Sequence, residues 1–224
     1  KYAEEQGLLP EEQSGFSPKR STIDMMYVVQ MLQEFGRAKN VPLFFCFIDL
    51  TKAYDTVNRH LLWKILAKAG LPQELIELIR AFHDGTQACV SFEGEDSAFF
   101  SVNQGLRQGC VLAPLLFNIF FAAALEVARK RILADEIAAK DLVKVKSCMS
   151  SHAWDVKTRN NERDIDKLSL TELWSMPYAD DAGIVSKSEG GLESMMKIIV
   201  KVTSQFGLSI SENKTKKMYA AKEK

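Results

Sequence analysis

Three aspartates stand where chemistry would need them. Asp49 interrupts the apolar run FFCFIDL (44–50), and Asp180 and Asp181 form an adjacent pair inside YADDAGIV (178–185). A carboxylate in an apolar strand must be paired or metal-bound, because an isolated one is very costly to bury. Two like charges at one turn repel each other, which a divalent cation relieves. Three carboxylates from two neighbouring strands are what two Mg²⁺ ions need to hold phosphate oxygens for in-line displacement. The plainer reading is local: Asp-Asp is common turn chemistry, and Asp49 or Asp55 could cap the segment that follows. The two groups are far apart in sequence, so spacing leaves both readings open and only a fold can join them.

The elements that must position them read as follows. A capping box at Ser21 and Asp24 opens a helix whose stripe is Met25, Val28, Val29, Leu32 and Phe35, with Gly36 as its stop. PLFFCFIDL (42–50) reads as a buried strand. Helices are predicted over 59–69 and from Pro72, the second carrying Leu75, Ile76, Leu78, Ile79 and Phe82. Residues 87–102 alternate as a hairpin turning at 93–96. The run 109–128 is long enough to span a bilayer, but Pro114, Asn118 and Glu126 interrupt it, so it reads as a core helix of 114–130. Residues 131–172 are charged, Ser-rich and without sustained periodicity, and read as a surface insertion. LWSMPYADDAGIVSK (173–187) reads as strand, tight turn and strand, followed by a helix from about 191 to Gly207.

Composition narrows the class without naming it. The 224 residues are 46% hydrophobic and 26% charged, which excludes a disordered or collagen-like chain. Twenty-nine basic residues balance 29 acidic ones, so a nucleic-acid partner would need a local basic surface. Cys46, Cys89, Cys110 and Cys148 lie far apart with no C-x-x-C pair, as do His60, His83 and His152, so free thiols in a reducing, intracellular compartment are expected and a zinc site is not. The chain opens KYAEE with neither Met nor an apolar leader and reads as a piece of something longer.

Five segments in order resemble the motifs of reverse transcriptases: QSGFSPKRST (13–22), FIDLTKAYDTV (47–57), NQGLRQGCVLAPLLFNIF (103–120), PYADD (177–181) and FGLSISENKTK (206–216). Their wording is most similar to non-LTR (LINE-type) retrotransposon enzymes and more distantly to group II intron proteins. The resemblance implies an α+β polymerase palm, an antiparallel sheet backed by helices, with partial fingers. On that plan 1–40 is partial fingers and the motif before the palm, and 41–130 the first part of the palm with finger-like helices and a hairpin. The insertion occupies 131–172, and 173–224 is the second part of the palm.

The implied activity is RNA-directed DNA polymerisation, extending a DNA primer on an RNA template with deoxynucleoside triphosphates and two Mg²⁺, for which Mn²⁺ could substitute. Carried over residue by residue, Asp49, Asp180 and Asp181 would ligate the metals together with the backbone of Leu50. Leu50, Thr51, Lys52 and Ala53 would lie under the triphosphate, and Gln108 and Gly109, with Arg107 beside them, at the nucleotide and template. Lys214 aligns with the family's candidate general acid; alternatively it is one solvated Lys in a run with Lys216 and Lys217. Tyr54, five residues after the first Asp, would exclude a 2′-hydroxyl and so select deoxynucleotides; alternatively it is a core aromatic. Lys19 and Arg20 are candidates for template or triphosphate contact. The resemblance also implies further finger strands, a thumb and an endonuclease region as missing partners, no membrane, and residence in nucleus and cytoplasm if the element is eukaryotic. The competing functional reading is a catalytically inactive, maturase-like or domesticated RNA-binding remnant.

Overall fold

The structure, a computed structural model, describes Gly15, residues 20–148 and residues 168–220. Its centre is a four-stranded antiparallel sheet in the order β12-β1-β10-β9, built from β1 (Leu43–Ile48), β9 (Ser175–Tyr178), β10 (Asp181–Ser186) and β12 (Lys216–Ala220). Alternation in β1 divides the molecule into two cores. Cys46 and Ile48 belong to the larger one, and Leu43 and Phe45 to a smaller one with Met176 and Val185.

The larger core is packed by α4 (Ala113–Ala134) and α6 (Glu189–Gln205). Pro114 starts α4 in its first turn, where a missing N–H costs nothing. Residues 116 to 121 of α4 are all buried, so the helix is enclosed on every side there, as a helix apolar all round must be. Phe117, Phe120 and Phe121 are fully buried; each contributes roughly 1.5–3 kcal/mol by leaving water. No helix among the described residues is long and apolar enough to cross a membrane.

The smaller core is closed by α1 (Thr22–Ala38), whose capping box at Ser21 and Asp24 is present. The predicted stop at Gly36 is not one. Gly36 lies inside α1, and a Cβ there would come within 2.9 Å of the Val41 carbonyl and 3.1 Å of Leu43. The glycine serves the close return of the chain into β1, not the helix end.

α2 (Arg59–Lys68) begins at Asn58, whose side chain accepts from the Leu61 N–H, and gives way to Gly70 at φ +86°. α3 (Gln73–Ala81) follows. Residues 87–101 form two short ladders, β3 (Gln87–Ala88) with β6 (Phe100–Ser101) and β4 (Ser91–Phe92) with β5 (Glu95–Asp96), turning at Glu93 and Gly94.

The stretch expected as a surface insertion is partly core. α4 runs to Ala134, then come α5 (Glu136–Lys140) and β7 (Val143–Cys148), paired with β8 (Leu168–Leu173). Ile132, Ala138, Leu142 and Val143 are buried. Sequence reading ended the core helix at 130, short of Ile132, and five- and six-residue elements are too short to show a period. Residues 149–167 lie outside the described residues, as does Lys19. Last, β2 (Leu50–Thr51) pairs with β11 (Ser209–Ile210), returning the chain that leaves α6 to the Asp49 strand.

Candidate active site

Strand register brings the carboxylates together. Ile48 faces Ala182 across the β1–β10 ladder, and Asp181 faces Tyr178 across the β9–β10 turn. Asp49, one residue past Ile48, therefore emerges at the sheet end where Asp180 and Asp181 sit. The two-residue turn between β9 and β10 is Ala179-Asp180, with Ala179 at φ +53°. A two-residue hairpin loop favours left-handed backbone at this position, and here a non-glycine residue bears it.

Gly15 explains how the turn is held. A Cβ on Gly15 would fall 2.1 Å from the Ala179 nitrogen, so only glycine fits against the hairpin. Asn118, fully buried on α4, donates from Nδ2 to the Gly15 carbonyl at 2.7 Å. The core helix thus reaches the β9–β10 hairpin through one glycine.

The electrostatics follow from this crowding. The Asp49 Oδ1 atom is buried and accepts no hydrogen bond among the described residues; the Lys214 ammonium lies 3.3 Å from it. Lys214 is carried there by a turn tied to Asp49 itself: Ser211 N–H donates to the Asp49 carbonyl, and Thr215 donates twice to the Ser211 carbonyl. Much of the Asp181 side chain remains open to solvent. Its carboxyl is nevertheless held above the ordinary Asp range by partial burial and then by Asp180 and Asp49, with Lys214 opposing. A cleft of about 790 Å³ between α1 and the sheet includes Asp49, Asp181 and Lys214 in its lining.

Tyr54 leans on α4, its ring 4.7 Å from that of Phe117, half-buried at the edge of the larger core. Burial, and after it the charge of Asp180, pushes its phenol up, so the hydroxyl stays protonated and Tyr54 faces the Asp180 side of the site. Lys52, at φ +47°, heads the turn that contains Tyr54, accepting at its carbonyl from the Asp55 and Thr56 N–H groups. Gln108 Nε2 donates to Asp55 Oδ1 at 2.9 Å. Arg107, Gln108 and Gly109 are exposed, and with Phe82, His83 and Cys110 they line a second hollow of about 280 Å³.

Comparison with known proteins decides the family. The family profile described as "Reverse transcriptase (RNA-dependent DNA polymerase)" matches residues 3–224. The chain belongs to the reverse transcriptase family. Its relatives bear out the likeness to non-LTR retrotransposon enzymes. It is 32% identical over 115 residues to "RNA-directed DNA polymerase from mobile element jockey" of Drosophila funebris, covering 51% of this chain and 12% of that protein. It is 25% identical over 190 residues to "Transposon TX1 uncharacterized 149 kDa protein" of Xenopus laevis, covering 84% and 14%. Among solved structures, apo telomerase of Candida tropicalis truncated from its C-terminal domain superposes with a TM-score of 0.60 at 15% identity. That match covers 89% of this chain and 35% of telomerase. The shared fold is the palm-type α+β architecture expected from the motifs. This reverse transcriptase chain spans 12–14% of the length of these two relatives.

Reverse transcriptases use divalent metal ions. The donors present fit such an ion by chemistry: three hard carboxylates at one sheet end, one with a buried oxygen that accepts no hydrogen bond. As they stand, no three Asp, Glu, His or Cys side chains among the described residues are grouped closely enough to hold an ion. Arg20 is exposed beside the start of α1.

Three residues of this reverse transcriptase escaped sequence reasoning. Asp55 anchors Gln108 and does not cap α2. Asn118 registered only as an interruption of an apolar run, although a buried Asn always demands partners. Arg59 gave one signal, a cation as the first residue of a helix, the wrong end for the helix dipole.

Proposed function

We propose that the chain is the polymerising core of a retroelement RNA-directed DNA polymerase, adding deoxynucleotides to a DNA primer on an RNA template. The observation that carries this reading is the Asp49 carboxylate: a buried oxygen without a hydrogen bond, on the sheet end shared with Asp180 and Asp181. Among the described residues that oxygen has only the Lys214 ammonium beside it at 3.3 Å, which leaves it able to ligate a cation. Asp49, Asp180 and Asp181, with the backbone of Leu50, would hold Mg²⁺ or Mn²⁺. The bound ions would supply activation of the primer 3′-hydroxyl and neutralisation of charge on the leaving diphosphate.

The chain's own groups do the rest. Leu50, Thr51, Lys52 and Ala53 form the strand end and turn beside Asp49, where main-chain groups can support a triphosphate. Tyr54, braced on Phe117, presents a ring edge to the sugar and leaves no room for a 2′-hydroxyl. Gln108 and Gly109, with Arg107 beside them, border the nucleotide and template. Lys214 can hand a proton to the diphosphate. Arg20 supplies positive charge for template or triphosphate.

A second reading, a non-catalytic RNA-binding remnant, draws on the spread of the carboxylates as they stand. Primer extension on an RNA template with Mg²⁺, run on the chain within its full reading frame, separates the two. Extension with dNTPs and not rNTPs, lost in Asp180→Asn, is the expected result. Folded protein that binds primer–template without extending it supports the remnant instead.

A further inference from the structure

We propose that Arg59 is a positioning residue that holds the 102–109 loop from inside and thereby fixes where Gln108 presents its amide. The inference rests on the reading of Gln108 as a nucleotide and template contact.

Arg59 is only 8% exposed, yet it has no carboxylate within ion-pair distance among the described residues. Its guanidinium is instead spent on main-chain carbonyls. Nε donates to Gly105 at 2.7 Å, and Nη1 donates to His83 at 2.8 Å and to Val102 at 2.9 Å. One planar group thus ties the turn after α3 to the start and the middle of a single loop. Burial pushes the guanidinium down from its ordinary value, with Asp84 opposing, so the position is costly for a cation. A buried charge of this kind is retained where its fork of donors cannot be replaced by a single ammonium.

The loop is gripped from its other side as well. Gly105 N–H donates to the Val57 carbonyl and Leu106 N–H to that of Tyr54. Gly105 sits at φ +79°, and a Cβ there would come within 2.6 Å of the Asp55 carbonyl oxygen. Asp55 then takes the Gln108 amide. A carboxylate only accepts, so the amide nitrogen must face it, which leaves Gln108 Oε1 to accept from another group. Arg59 on one side and the Tyr54 and Val57 carbonyls on the other thus hold the Gln108 loop, and Arg59 does so without touching substrate itself.

Two measurements on the chain within its full reading frame test this. Hydrogen exchange needs no catalysis: Arg59→Lys should speed exchange of the Gly105 and Leu106 amides about tenfold or more while the β1 and β10 amides stay protected. Gly105→Ala, whose Cβ would meet the Asp55 main chain and displace the carbonyl that Arg59 holds, should speed exchange of the Leu106 amide likewise and serves if Arg59→Lys fails to fold. Unchanged exchange at 105 and 106 overturns the proposal. In primer extension, Arg59→Lys should raise KM for the nucleotide about tenfold with kcat within roughly twofold. In a Gln108→Ala background the same substitution should add less than about twofold. An equal effect in both backgrounds overturns the link to Gln108. If Gln108→Ala alone leaves KM unchanged, the reading of Gln108 fails, and the exchange result still decides the role of Arg59 in the loop.

Discussion

Asp181 and Tyr54 take their properties from the same few ångströms. The Asp181 carboxyl is raised in the folded chain, so between its unfolded and folded pKa the native state binds more protons than the unfolded one. Its ionisation therefore subtracts from stability as pH rises through that window, and the penalty is complete above the folded pKa. Metal-free Asp181→Asn should then melt on the order of 1–3 °C higher than wild type at pH 7, the gap closing as pH falls through the carboxylate range. Thermal melts across pH 3–8 in EDTA would show it, and a gap that widens in acid would refute it. On the proposed reading of Tyr54 as the residue facing the sugar, the ring stacked on Phe117 would do the excluding and the hydroxyl would not be needed. Tyr54→Val should lower discrimination against ribonucleotides roughly 10–100-fold, while Tyr54→Phe keeps it. The ratio of kcat/KM for dNTP and rNTP measures this directly.

At the scale of elements, the β9–β10 hairpin depends on a helix far from it in sequence. Asn118 on α4 bonds Gly15, and Gly15 packs on Ala179, the strained residue of the β9–β10 turn. Replacing Asn118 by Leu removes the donor and leaves the Gly15 carbonyl without it. The expected loss is about 1–3 kcal/mol in urea unfolding. Gly15→Ala should cost at least as much, because its new methyl would meet main chain, which cannot swing aside as a long side chain can. An unchanged urea midpoint for both variants would mean that the hairpin needs no such support. Asn118 was legible as unusual in the sequence. Its partner was not, since more than a hundred residues separate the two and no periodicity links them.

For the whole molecule, the decisive quantity is the coupling of ion binding to folding. Ions that bind the native site and not the unfolded chain stabilise it by about 2.7 kcal/mol at a concentration 100 times Kd. For a domain of this size that is roughly 5–10 °C in Tm. Mn²⁺ should produce such a rise in wild type, and Asp49→Asn should abolish it; an equal rise in both would place the ions elsewhere. The same experiment bears on Lys214. Its ammonium sits beside Asp49 and partly occupies the electrostatic role of a cation, so Lys214→Met should bind Mn²⁺ more tightly.

The local pattern of residues was enough to locate the strands around Asp49 and Asp181, the enclosed helix after Pro114 and the capping box at Ser21, because burial and capping act over a few residues and leave their period in the chain. It was also enough to single out Asp49 inside an apolar run and the Asp180–Asp181 pair at a turn, while leaving metal and turn readings open. Tertiary structure decided what no period records. The register of β1 against β10 set which sheet end carries the acids. Close main-chain approach made Gly36 a packing residue instead of a helix stop and Gly15 a seat for the hairpin. Burial at Ile132, Ala138, Leu142 and Val143 drew part of an apparently polar insertion into the core. Arg59 became visible only once three carbonyls from distant segments converged on it. Short-range preferences are written residue by residue; contacts between segments far apart in the chain exist only after it has folded, and it is those that build this site.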